Sequence, residues 1–208
     1  MRRRLAIIAA AALLAGCVSV SVGTADGPSV IYYVLADARP APVLAPAAGT
    51  PARLAIQSVS ADPLADSIAI VYSRRPGERA FYQFASWTER PPRRLANLAQ
   101  QRLEARGRFA AVTQLGQPVH SDWLLTLAVE TVVHDVSASP GHAQLVLRAD
   151  LIHRRDRSRV AQRQFAAAPP VAEATAPAAV AAFAVATADV LDQLADWVET
   201  TVAANAKR

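Results

Sequence analysis

Three alternating runs in the second half of the chain constrain the fold more than any other feature. From Asp122 to Val133, the side chains of Trp123, Leu125, Leu127 and Val129 fall on every second residue. Beyond Pro140-Gly141, Leu145, Leu147, Ala149 and Leu151 repeat the period, with Gln144, Arg148, Asp150 and Arg154 mostly on the other parity. Arg155-Asp156-Arg157-Ser158 then turns the chain into a third run, Val160 to Phe165. A period of two sends alternate side chains to opposite faces of a strand, so the three runs predict an antiparallel meander with one buried and one wet face. An apolar face of that size must be covered.

The cover is also written in the sequence. After Pro169-Pro170, an Ala-rich segment carries Val180, Phe183, Val190, Leu191, Leu194, Trp197 and Val198 at three- and four-residue spacing, the pattern of a long amphipathic helix. A second helix begins at Pro91-Pro92, where missing N–H groups cost nothing. It carries the stripe Leu95, Leu98, Ala99, Leu103 and stops at Gly107. Shorter strand signals precede it at 30–35, 53–59 and in a hairpin, 67–72 with 80–84, around the Arg74-to-Glu78 turn; Phe109–Val112 begins another. The fold class expected is α+β: a two-layer sandwich of a mixed or mainly antiparallel sheet with two helices packed on one face.

The N-terminus fixes topology. Arg2, Arg3 and Arg4 precede an apolar run, Leu5 to Leu14, and the chain's single cysteine, Cys17, follows Leu14-Ala15-Gly16. A charged start, a short apolar core and small residues at a cleavage point make a secretory signal peptide, too short to span a bilayer. Leu-Ala-Gly-Cys resembles the bacterial lipobox, whose cysteine becomes the lipidated first residue. The domain reading is therefore 1–16 signal peptide, 17–30 lipidated Cys17 with a flexible tether, and 31–208 a single α+β domain, with 36–51 a Pro/Ala-rich connector. Val18 stands where an aspartate would signal inner-membrane retention, which favours the outer membrane over the inner. No apolar stretch beyond Cys17 is expected to reach membrane-spanning length, leaving a soluble domain on a lipid leash.

Removing residues 1–16 leaves 192 residues, enough for one domain with a core. The formal charge of +5 falls to +2 without the three N-terminal arginines, and no long basic block is interleaved with aromatics, so nucleic acid is not an expected partner. One thiol excludes an intrachain disulfide.

Chemistry is poorly supported. His120, His134, His142 and His153 form no HExxH pair and no zinc spacing, and His134 and His153, near strand ends or turns, read as solvated surface residues; no GxSxG elbow and no glycine-rich phosphate loop occurs. Asp122, Glu130, Asp135 and Asp150 lie on adjacent strands, on the wet face where carboxylates serve solubility. No enzyme, no cofactor and no metal is expected. The more suggestive block is Ile70 to Trp87, where Tyr72, Phe81, Tyr82, Phe84 and Trp87 cluster beside Arg74 and Arg75. Aromatic rings with arginines are the composition of protein-interaction surfaces. Tyr72, Arg74, Arg75, Tyr82 and Trp87 are the candidate partner-binding residues, with Phe81 or Phe84 turned inward and Tyr82 and the arginine turn more exposed.

The order of these segments resembles a known family. A lipobox is followed by Tyr32-Tyr33-Val34-Leu35, Arg53-Leu54-Ala55-Ile56, Ile70-Val71-Tyr72-Ser73-Arg74, Phe81-Tyr82-Gln83-Phe84-Ala85-Ser86-Trp87 and a helix from Pro91. This is similar to the ABC-type transport auxiliary lipoproteins, the group that includes the paraquat-inducible protein C type. The resemblance implies a periplasm-facing lipoprotein of a Gram-negative bacterium. It would work with an ABC permease and ATPase and an MCE-domain substrate-binding protein, moving lipid or other hydrophobic molecules between inner and outer membranes. It also implies homo-oligomerisation. The alternative is an outer-membrane lipoprotein that supports a cell-wall synthase or lipopolysaccharide and outer-membrane assembly.

Overall fold

A computed structural model describes residues 28–40 and 50–205. Cys17, the signal peptide and most of the tether lie outside the described residues. In chain order the elements are β1 (Ile31–Tyr33), β2 (Thr50–Ser60), β3 (Ala69–Ser73), β4 (Ala80–Trp87), α1 (Pro91–Arg106), β5 (Phe109–Gln114), β6 (Trp123–Asp135), β7 (Gly141–His153), β8 (Ser158–Ala167), β9 (Pro170–Val171) and α2 (Ala176–Asn205).

The meander forms as its alternation demands. β6 pairs antiparallel with β7 from Trp123↔His153 to Asp135↔His142, and β7 pairs antiparallel with β8. The other edge of β6 is divided: Trp123–Val129 pairs parallel with β2, and His134 and Asp135 pair parallel with β3. β5 continues the sheet beyond β2 in parallel, whereas β4 and then β1 continue it beyond β3. Parallel pairings are thus as numerous as antiparallel ones among the described strands, and the sheet is mixed rather than mainly antiparallel. Periodicity tells which face a side chain takes and says nothing about strand direction, which here is set by long-range partners.

Both helices join one core with the sheet. Leu54 and Ile56 of β2, Leu125, Leu127 and Val129 of β6, and Leu145, Leu147 and Leu151 of β7 are buried against Leu95, Leu98 and Leu103 of α1. The same cluster holds Phe183, Leu191, Leu194 and Val198 of α2. α1 starts on two prolines and ends where Gly107 takes a left-handed conformation (φ 62°), its N–H donating to the Glu104 carbonyl at 3.0 Å.

α2 overturns one expectation. By length and composition alone its 30 residues could cross a membrane. Here its apolar stripe is spent on the core, while Asp189, Asp192, Asp196 and Glu199 on its outer side pair with Arg39, Arg102 and Arg106. The Ala-rich sequence lifts the mean hydropathy without making every face apolar, and α2 is the core helix of the fold.

The connector differs too. Thr50 and Pro51 already belong to β2, and the stretch after β1 is firmly held. Leu35 is buried, its carbonyl accepting from Arg94 Nε at 2.8 Å; the Ala38 N–H donates to the Ala184 carbonyl at 3.1 Å. The Arg102 guanidinium, buried between the helices, donates to Asp37, to Asp192 and to the Arg39 carbonyl. The rest of the connector, 41–49, lies outside the described residues.

Candidate functional site

The β3–β4 hairpin stands at the end of the sheet away from the bulk of the helix cover, which lies over β2 and β5–β9. β1 adds a short parallel strand on the outer side of β4, Ile31↔Ala85 to Tyr33↔Trp87, and its own outer edge pairs with no described strand. The backbone groups of such an edge are open to a further strand.

The structure divides the five proposed contact residues. Arg74 and Arg75 lie at the exposed tip, Arg74 with its guanidinium carbon 5.3 Å above the Tyr72 ring and Arg75 with Nη1 3.5 Å from Glu78. A guanidinium resting on an aromatic face is held in position at little desolvation cost. Tyr72 is half-buried, its ring 5.0 Å from that of Tyr82. Tyr82 is half-buried too and packs on the core. Trp87 is only 2% exposed and lies edge-on to Phe183 of α2 at 5.7 Å, so it cannot be a surface contact; it anchors the base of the hairpin.

The expected inward ring was also misassigned. Phe81 and Phe84 are both exposed, at 49% and 42%, while Tyr82 turns partly inward. Strict alternation fails here because the β3–β4 register shifts between Ala69 and Val71, and because no helix covers the hairpin's outer part. Together with Ile31, Tyr32, Val34 and Ile68, the two phenylalanines leave this end of the sheet rich in exposed apolar side chains, with Arg74, Arg75 and Arg79 at the tip. Large exposed apolar clusters edged by charge are the mark of an interaction surface.

Beneath it lies a buried polar contact that sequence reading passed over as surface. His134 is fully buried, and its Nδ1 is 2.7 Å from Tyr82 Oη. Burial lowers the imidazole below its ordinary value against the pull of Asp135, and burial, aided by Tyr72, raises the Tyr82 phenol. Both directions favour a neutral pair in which the Tyr82 hydroxyl donates to Nδ1. The proton then sits on Nε2, which has no partner among the described residues. Gly141 presses on it: a Cβ there would lie 3.0 Å from Nε2 and 2.6 Å from the Asp135 carbonyl oxygen.

The four carboxylates on the strands do not converge. Glu130 accepts from Arg148 at 2.8 Å and Gln164 at 2.6 Å; Asp150 faces Arg159 at 3.2 Å and Gln162 at 2.7 Å. Asp135 accepts from Ser137 and Gln144, and Asp122 from the Arg53 N–H, each at 2.9 Å. They form ladders across the open face of the sheet, each engaged with its own neighbours. What this arrangement offers chemically is adhesion: exposed rings, cations and a free strand edge.

Comparison with known proteins agrees with the order of segments read above. A family model described as the ABC-type transport auxiliary lipoprotein component matches residues 33–195. No curated protein matches the sequence. Among solved structures the chain is similar to a crystal structure of a Xanthomonas campestris protein of the DUF330 family. The identity is 27% and the TM-score 0.75, over 86% of this chain and 100% of that one. It shares its fold with the crystal structure of an uncharacterized protein at 17% identity and a TM-score of 0.62, over 82% of this chain and 99% of the other.

Proposed function

The chain belongs to the ABC-type transport auxiliary lipoprotein family, and from that membership we propose that it is the envelope-anchored docking component of an MCE-type system for lipids or other hydrophobic molecules. The observation that carries the reading is the family match itself, which spans β2 to most of α2 and so includes every described strand except most of β1. The Arg-rich start, apolar run and Cys17 support an acylated anchor. More than one acyl chain on one cysteine would hold the domain to its membrane, since each buried methylene contributes about 0.8 kcal/mol. Val18 supports the outer membrane as the site of that anchor.

In this reading the domain does no work on ATP and makes no covalent change in cargo. It positions. The exposed end of the sheet, with Tyr72, Arg74, Arg75, Phe81 and Phe84, meets the MCE-domain partner, while Tyr82, His134 and Trp87 hold that surface in shape from below. The energy of transport is supplied at the ATPase.

The test is recovery of partners from the native host. The full-length lipoprotein, purified from membranes after mild crosslinking, is expected to bring with it an MCE-domain protein or the ABC permease. Recovery of a cell-wall synthase or an outer-membrane barrel, with neither of those, would overturn the proposal.

A further inference from the structure

At the other end of β6 the sheet opens into a cleft of about 1280 Å³. β6 separates the cleft from the hairpin by the length of the strand, Trp123 to Asp135, roughly 40 Å at about 3.3 Å per residue. Its walls come from the start of β2, the segment entering β6, and the turn between β7 and β8. Ser121 and Trp123 form a buried base, with the Trp123 ring 5.0 Å from that of His153.

The cleft is lined by more arginines than carboxylates. Elsewhere Arg39, Arg90, Arg94, Arg102, Arg106 and Arg148 each face a carboxylate. Four arginines line the cleft, Arg53, Arg154, Arg155 and Arg159, against two carboxylates, Asp122 and Asp156. Both carboxylates are occupied by other donors. Asp122 accepts from the Arg53 backbone N–H at 2.9 Å and lies 3.7 Å from His120. Asp156 accepts from the Ser158 N–H at 3.1 Å and hydroxyl at 2.8 Å, bonds that hold its carboxyl below the ordinary range, and lies 3.2 Å from His153. Arg159 pairs with Asp150 at 3.2 Å. Among the described residues the guanidiniums of Arg53 and Arg155 have no carboxylate partner, and that of Arg154 has only the Ser121 hydroxyl.

We infer that this cleft is a binding site for a phosphate ester. Several guanidinium forks around one concavity match an anion with three or more acceptor oxygens better than a single carboxylate. The Ser121 hydroxyl, buried at the base, fixes one fork in place before any ligand arrives. Val119 and Val160 in the same wall give the ester's carbon side an apolar surface. Phosphate oxygens can take the hydrogen-bonding places that exposed guanidiniums otherwise give to solvent, and focused positive potential in a cleft raises the local concentration of the anion. The site is independent of the hairpin and of any protein docked there.

The experiment titrates the full chain, in a non-ionic, phosphate-free detergent at fixed ionic strength, by calorimetry. The probes are inorganic phosphate, glycerol 3-phosphate and short-chain phosphatidylglycerol, with chloride as control. Saturable binding of glycerol 3-phosphate is expected, weakened about tenfold or more in Arg154→Gln/Arg155→Gln, the scale of one lost charged hydrogen bond. It should be unchanged in Arg74→Gln/Arg75→Gln at the far end. Tighter binding of the short-chain lipid than of glycerol 3-phosphate assigns the site to a lipid headgroup; equal or weaker binding assigns it to a soluble phosphate ester. Arg155→Gln alone, at an exposed side chain with no ion pair among the described residues, serves if the double variant does not fold. No saturable binding of any phosphate probe, or binding indifferent to these arginines, overturns the inference.

Discussion

His134 is the residue on which the shape of the hairpin turns. It sits on β6 beside Tyr72 of β3 and under Tyr82 of β4, so one imidazole joins three strands at the proposed docking end. Its folded-state value is lowered by burial, so between that value and the ordinary one near 6.5 the unfolded chain binds a proton that the folded chain refuses. Stability is therefore intact above about pH 6.5 and falls as the pH drops through that window, by at most about 1.4 kcal/mol per pH unit from this group. Urea unfolding at several pH values from 7.5 to 5.5 should show this slope, and His134→Gln, which can still accept from Tyr82, should flatten it. An equal slope in the variant would mean that other groups carry the acid sensitivity. The histidine looked like a strand-end surface residue in the sequence because its partners Tyr72 and Tyr82 lie more than fifty residues upstream. No local pattern around it records those neighbours.

At the scale of elements, the clamp between α1, α2 and the segment after β1 is the feature that alternation could not foretell. Arg102 lies on the buried side of α1, and Asp37 beside it is nearly as buried. Removing the guanidinium leaves the carboxylate stranded, so Arg102→Ala is expected to cost about 3–5 kcal/mol in urea unfolding. Arg102→Met combined with Asp37→Leu, which removes both charges, should recover much of the loss; failure to recover would show that the hydrogen bond to the Arg39 carbonyl matters more than the charge pair. Other elements were readable because their causes are local. The meander announced itself by period two, α1 by its prolines, stripe and Gly107, and α2 by its three- and four-residue spacing. The parallel pairing of β2 with β5 and β6 was not readable, because each edge is chosen by a partner far along the chain. Phe81 and Phe84 were misassigned for a related reason: a register shift in β3–β4 and a gap in helix cover are tertiary facts.

The whole molecule has two distinct ends joined by β6. One carries exposed rings and a β1 edge that pairs with no described strand; the other carries the arginine cleft. The aromatic and arginine composition of the first was visible in the sequence, although only Arg74 and Arg75 of the five named residues proved fully exposed. The second was not visible, since Arg53, Arg154 and Arg155 come to line one cleft only once β2, β6 and β7 are paired. If the hairpin end of the sheet is the docking surface proposed above, contact with the transport partner maps to that end. The most direct test places a photo-crosslinking amino acid at Phe84, and separately at Gln162 on β8, in the full-length lipoprotein in its native host. Phe84 is expected to capture an MCE-domain protein or its permease, and Gln162 is not. Capture from Gln162 with none from Phe84 would contradict the proposal.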